Sequence, residues 1–244
     1  MLRLWFVSAL VLGALSSHVE ATCVDPSALV RSTVSITRIF DGQERKVDVG
    51  VLGVHGTAWF LSSTSMVTAG HVAMAMNLSD QKSTPVEILD GLRTQSIAVR
   101  VARVVGAHAE NIAILELQSP FSGAQSLQIR TAPLVPDEPV VSLAYPGNRL
   151  RFAGGRFVEY RESDKFGGTA LLEMYDGDDR LVLDHGASGA PVLDCQGRVV
   201  AVVSNLFTQR KQFLSNAIRI STAWGQANVA SVPAHVLKEF APTK

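Results

Sequence analysis

Apolar and polar residues alternate along SIAVRVARVV (96–105), with Ile97, Val99 and Val101 on one face and Arg100 on the other. A period of two is that of a strand with one buried face. Short β-rich runs bounded by turn residues recur along most of the chain: STVSITRIF (32–40), VDVGVLGV (47–54), GTAWFLSS (56–63), SMVTA (65–69) and NIAILEL (111–117). After a proline-rich linker, TAPLVPDEP (131–139), come VVSLAYPG (140–147), GRFVEY (155–160), TALLEMY (169–175) and RLVLD (180–184). APVLD (190–194), RVVAVVSNLF (198–207) and FLSNAIRIS (213–221) complete the second set. Helical signal is confined to a turn around HVAMAM (71–76) and a terminal PAHVLKEF (233–240) with proline at its start. Many short strands without strand–helix alternation predict an all-β chain of antiparallel barrels or sandwiches, divided by the linker into two similar sets.

The N-terminus reads MLRLWFVSALVLGALSSHVEATC. Arg3, an apolar stretch from Leu4 to about Leu15, and small residues Val19 and Ala21 before the expected cut have the layout of a signal peptide over 1–21. The apolar stretch is shorter than the roughly 20 residues a spanning helix needs. Thr22 before Cys23 does not fit a lipoprotein site, so the mature chain is expected to start near Thr22, secreted or periplasmic and free of the membrane. Hydrophobic residues make up 47% of the sequence and charged ones 18%, enough for one large all-β domain or two small ones. With 22 basic and 22 acidic residues and no Lys/Arg cluster, nothing favours nucleic acid or an anionic membrane as partner. The two cysteines, Cys23 and Cys195, either pair or remain two thiols. A disulfide closing so long a loop is worth roughly 4–5 kcal/mol on the chain-entropy account. Two cysteines and scattered histidines suggest no metal site, and no cofactor is expected.

VTAGHVA (67–73) places His71 where a β run ends in a small-residue turn. Neutral imidazole titrates near working pH and suits a general base. His18 leaves with the leader, and the sequence around His55, His108, His185 and His235 favours none of them for that role. DHGASGAPVLD (184–194) sets Ser188 between Gly186 and Gly189 before a β run. A nucleophilic serine needs its hydroxyl on a tight turn with backbone N–H groups converging on the oxyanion, and Gly186 and Ser188 are the natural pair. GASGA also nearly matches the elbow of α/β-hydrolases. That fold requires strand–helix alternation and the order Ser, acid, His, whereas only His235 lies downstream.

TAGH, NIAIL and GASGAP stand in the order His71, Asn111, Ser188, each at the edge of an expected strand. With GTAWF, VVSLAYPG and VASVPAHVL, they give a chain that resembles the chymotrypsin-like serine peptidases. The likeness is greatest to the bacterial secreted branch of glutamyl endopeptidases and HtrA-type proteases. The resemblance covers about residues 30–240. It implies one trypsin-like peptidase domain over 22–244, with a six-stranded barrel at about 30–130, a second at about 139–228 and a helix at about 233–240. It further implies a polypeptide substrate in the cleft between them, His71 as base, Ser188 as nucleophile and Gly186 and Ser188 as oxyanion donors. Ser204 matches the serine beside which substrate backbone adds as a strand. Val182 and Leu206 would fall near the primary specificity pocket and suit an uncharged side chain. No PDZ domain is expected after Ser188, and the oligomeric state is left open. Ala187 stands where digestive members carry the aspartate that pairs with a freed N-terminus, so that activation switch is absent.

Asn111 is the sharp departure, because the family places an aspartate there to fix the histidine tautomer and stabilise imidazolium. An Asp→Asn change in such a triad costs roughly 10⁴ in turnover. Three readings stand side by side. Glu110 reaches His71 through a bulge or one-residue slip; another carboxylate (Asp80, Asp90 or Asp184) substitutes; or Asn111 is the third member and the protein is slow, or a binding protein that has lost the chemistry.

Overall fold

The strands close into two barrels in the computed structural model, which describes residues 23–40, 52–91, 93–106, 111–161, 168–175, 183, 185–204 and 227–240. The first barrel contains β1 (Thr33–Phe40), β2 (Leu52–Ser62), β3 (Ser65–Ala69), β4 (Thr84–Leu89), β5 (Thr94–Val105) and β6 (Ile112–Leu117). Its closed order is β1-β2-β3-β6-β5-β4. The second contains β7 (Pro139–Ala144), β8 (Arg151–Arg161), β9 (Thr169–Tyr175), β10 (Pro191–Leu193), β11 (Val199–Val203) and β12 (Val229–Pro233), closed as β10-β11-β12-β9-β8-β7. All their pairings are antiparallel. Helix among the described residues is limited to α1 (Pro26–Leu29), α2 (Gly70–Ala75) and 3-10 turns at Pro146–Asn148 and Ala234–Phe240. None is long and apolar enough to cross a membrane. This is the all-β, two-barrel architecture expected above, with a 3-10 segment in place of the terminal α-helix.

Three strands differ from the sequence reading. The runs at 47–54 and 56–63 are not separate: within the described residues β2 passes unbroken through Gly56, which pairs with Ile36. A Cβ there would lie 2.6 Å from a Val72 methyl, so the glycine serves close packing against α2, not a turn. The segment TPVEIL, not among the expected strands, forms β4 although it carries a proline. Thr84, Val86 and Ile88 nevertheless point inward, and exposed Pro85 lies beyond the reach of β1, where only β5 is a neighbour. β12 lies past the limit of about 228 expected for the second barrel. The run at 213–221 lies outside the described residues, as does most of 180–184, of which Leu183 alone is described and is not in a strand.

Each barrel has its own interior, one built on residues such as Ile36, Phe60, Val99 and Leu115, the other on Phe157, Leu172, Val192 and Val203. A third apolar cluster fills the seam between them. Trp59, Val67, Ile112 and Ile114 of the first barrel meet Val141, Leu193, Val202 and Val232 of the second. This explains the unbroken IAIL run. Ala113 and Leu115 face into the barrel while Ile112 and Ile114 face the seam, so both sides of β6 are buried.

Cys23 and Cys195 are joined by a disulfide, and Leu29 of α1 enters the seam. Beside Cys195, the carboxylate of Asp194 is buried (1% exposed). It accepts the amides of Gln196 and Arg198 and the guanidinium groups of Arg198 (2.7 Å) and Arg130 (3.3 Å). Burial pushes this carboxyl upward, but the Arg198 side chain and the two amides outweigh it and hold it below the ordinary value. Asp194→Ala should therefore cost about 3 kcal/mol of folding free energy in urea titrations at neutral pH. Because the folded carboxyl is depressed, this contribution is present above the ordinary carboxylate value and lost as pH falls through the lowered one. The deficit of the variant should shrink only in strong acid.

Candidate active site

β3 ends at Ala69, whose extended backbone caps α2, and His71 occupies the first turn of that short helix. The imidazole is half-buried, and burial holds it below its ordinary pKa. Its Nδ1 is enclosed and has no hydrogen-bond partner among the described residues. Asn111, just before β6, is drawn to the same place: its carbonyl accepts the Gly70 amide at 2.8 Å. Its carboxamide lies over the Gly70 Cα, where a Cβ would sit 1.6 Å from Asn111 Oδ1. Glycine before the histidine therefore makes room for the residue in the acid position. A groove of about 890 Å³ opens beside the pair, with Met74, Asp80, Arg103 and Val104 among its walls.

β6 runs against β3 in continuous register, Ser65 opposite Glu116 through Ala69 opposite Ile112, and the bulge falls in β5 between Val101 and Arg103. The one-residue slip considered for Glu110 is thus not present in β6; moving it would expel Ile112 and Ile114 from the seam. Glu110 itself lies outside the described residues, as do His108 and Asp184. Asp80 shares the groove with His71, whereas Asp90 is engaged by Arg93 at 3.2 Å.

The Ser188 loop is fixed peptide by peptide. In a trans peptide the C=O and N–H point in opposite directions, so an anchored carbonyl aims the N–H that follows it. The His185 carbonyl accepts Gly147 N (3.2 Å), which orients the Gly186 N–H. The Ala187 carbonyl accepts Ala190 N (2.9 Å), which orients the Ser188 N–H. Between them the Gly186 carbonyl accepts Thr57 Oγ1 (2.6 Å), and the Ser188 carbonyl accepts Thr57 N (2.9 Å). Gly186 (φ 98°) and Gly189 (φ 93°) take backbone angles that side chains disfavour. Within the described residues the Gly186 and Ser188 N–H groups are left without a partner. The Ser188 hydroxyl is mostly buried and turned toward the Ser204 carbonyl at 3.4 Å, a long contact.

His71, Asn111, Gly186, Ser188 and Ser204 thus gather where the second barrel meets the first. The loop reaches the histidine segment directly, since a Cβ on Gly189 would stand 2.9 Å from Ala69 N. Val182 and Leu206 lie outside the described residues. Ala187 is fully buried in the second barrel's interior, where a carboxylate would lack compensation. His55 stands in no motif that marks it for the site. Its ring rests on Gly186, with Cδ2 2.7 Å from where a Cβ would be and Nε2 enclosed without a partner. Neither that contact nor the grip of Thr57 has a local sequence signal, because both partners come from the other barrel. Gly189→Ala would drive a methyl to 2.1 Å from the Thr57 carbonyl and 2.3 Å from Thr68 Oγ1 at a left-handed φ. It should destabilise the fold by about 3 kcal/mol, read from chemical unfolding.

A family model described as the trypsin-like peptidase domain matches residues 56–202. No curated protein sequence matches the chain. Among solved structures, the Rv3671c protease of M. tuberculosis in its active form superimposes with a TM-score of 0.56 at 17% identity, covering 88% of this chain and 81% of that one. Its inactive form gives 0.56 at 19% identity, with 87% and 88% covered. Deg5 gives 0.54 at 14% identity, with 86% and 87% covered. At such identities these likenesses speak for the fold.

Proposed function

The chain belongs to the trypsin-like peptidase family, and on that premise we propose that it is a secreted serine endopeptidase of the bacterial glutamyl-endopeptidase and HtrA-type branch, with Asn111 in the place of the acid. The observation that carries the reading is the Ser188 loop, whose Gly186 and Ser188 N–H groups, without a partner among the described residues, are each aimed by an anchored peptide. Such preorganised donors stabilise an oxyanion without reorganisation at the moment of attack.

In this reading a polypeptide carbonyl enters beside Ser188 with its oxygen toward the Gly186 and Ser188 N–H groups. The Ser188 hydroxyl rotates from the Ser204 carbonyl to His71 Nε2, gives up its proton there and attacks the carbonyl carbon. His71 returns that proton to the departing amine, leaving an acyl-enzyme that water then hydrolyses by the same route. Long catalytic hydrogen bonds without substrate are common and tighten on binding. Asn111 contributes position without charge, so imidazolium forms unassisted beside an Nδ1 that no carboxylate among the described residues meets.

That same unmet Nδ1 favours a second reading, a binding protein that keeps the scaffold and has lost turnover. The two separate on one experiment. Under the peptidase reading, a fluorophosphonate labels the mature protein and Ser188→Ala abolishes both labelling and peptide hydrolysis; unlabelled wild-type protein overturns it. Asn111→Asp should raise turnover by up to roughly 10⁴. Its carboxylate should also raise the His71 pKa from its depressed position. The acid limb of kcat/KM should lie below pH ~6.5, the ordinary histidine value, in the parent and shift to higher pH in Asn111→Asp. A limb that stays in place would assign the acid to another residue, and Glu110→Gln would then be the variant that loses activity.

A further inference from the structure

Thr57, in the middle of β2, is completely buried. Its four polar contacts lie on three different segments. The hydroxyl donates to the Gly186 carbonyl (2.6 Å) and accepts the Tyr145 amide (3.0 Å); the amide donates to the Ser188 carbonyl (2.9 Å); the carbonyl accepts the Thr68 hydroxyl (2.7 Å). The direction of the hydroxyl proton is not a choice. A hydroxyl has one proton, and the Tyr145 amide can only donate, so the proton belongs to the Gly186 carbonyl.

We propose that Thr57 is a positioning residue for the oxyanion-binding loop: the first barrel, through this one side chain and its amide, sets the donor orientation of the loop that the second barrel carries. The inference deepens the peptidase reading above and rests on it. Gly186 is the freest residue of the loop, and a glycine at φ 98° permits its flanking peptides to turn over. Thr57 grips the carbonyls of Gly186 and Ser188, one on each side of the peptide that bears the Ser188 N–H. Turning either neighbouring peptide over would break a Thr57 hydrogen bond and leave a buried carbonyl unsatisfied, so the Ala187–Ser188 peptide, itself held by Ala190 N, keeps the frame in which its N–H points. The Thr68 contact draws in the segment that leads to His71, so base and oxyanion donors share one anchor.

Thr57→Val keeps shape and backbone while removing the hydroxyl; Thr57→Ser restores it. Loss of donor alignment should lower kcat and the fluorophosphonate labelling rate by about ten- to a hundred-fold, somewhat less than outright removal of a donor. KM should change little, and Thr57→Ser should recover both rates to within a few-fold. A folded Thr57→Val that labels at the parental rate overturns the proposal. If Thr57→Val does not fold, Thr57→Cys, with its weak donor, must fall below Thr57→Ser; equality overturns it. Amide spectra keep this separate from the peptidase reading. If the parent is not labelled, that reading fails, while the cross-peaks of Gly186, Ala187 and Ser188 still decide the role of Thr57. They should broaden or split in Thr57→Val and coincide with the parent in Thr57→Ser; unmoved, single peaks in Thr57→Val overturn it.

Discussion

The apolar seam between the barrels is the constraint from which the site follows. Neither barrel contains the site alone: one supplies His71 and Asn111, the other Ser188 and its loop. Trp59, Ile112 and Ile114 press against Val141, Leu193 and Val202, and this dry contact sets the distance at which polar groups can cross. Water is excluded from the crossing points, so each buried amide and carbonyl must find a protein partner. Thr57 answers that demand for three segments together. The accuracy of the loop is therefore a by-product of satisfying buried backbone at an interface held by side chains that have no chemistry of their own.

The position beside His71 shows how geometry and charge separate. Gly70 gives way to the Asn111 carboxamide, and the Gly70 amide is bonded to the Asn111 carbonyl, so the backbone arrangement does not depend on a carboxylate. What a neutral residue leaves out is compensation. Burial already disfavours imidazolium at His71, and among the described residues no group at Nδ1 opposes it. The imidazole stays unprotonated to lower pH, but in the proposed mechanism it would be a weaker proton acceptor at the moment of attack.

What the sequence made legible was local. Strands with one buried face announce themselves by alternation, and His71 and Ser188 sit in short motifs whose glycines mark the turns. β4 was hidden because Pro85 argues against a strand unless its missing neighbour is known, and β12 because VASVP is too short to stand out from the terminal turn. The IAIL run shows no period because the seam buries its second face, a fact about the other barrel. Thr57 and His55 matter for the same reason: Gly186 is far from both along the chain, and no pattern within β2 signals contact with it. Glu110, Val182 and Leu206 belong to stretches outside the described residues.

The order in which the strands occur has a consequence for how the molecule is made. β12 is inserted between β11 and β9, so the second barrel cannot close before residues 229–233 are available. The seam needs Leu29 from one end of the chain and Leu237 from the other. A nascent chain emerging from a ribosome or a translocation channel can complete the first barrel early, but it leaves that barrel's outer face of Trp59, Ile112 and Ile114 uncovered until the strands of the second barrel have followed. Folding dominated by such distant pairings is slow, and the exposed face is a place for aggregation. Residues 229–240 thus decide when the two-barrel scaffold first exists, which keeps the cleft between the barrels unformed until they have been made.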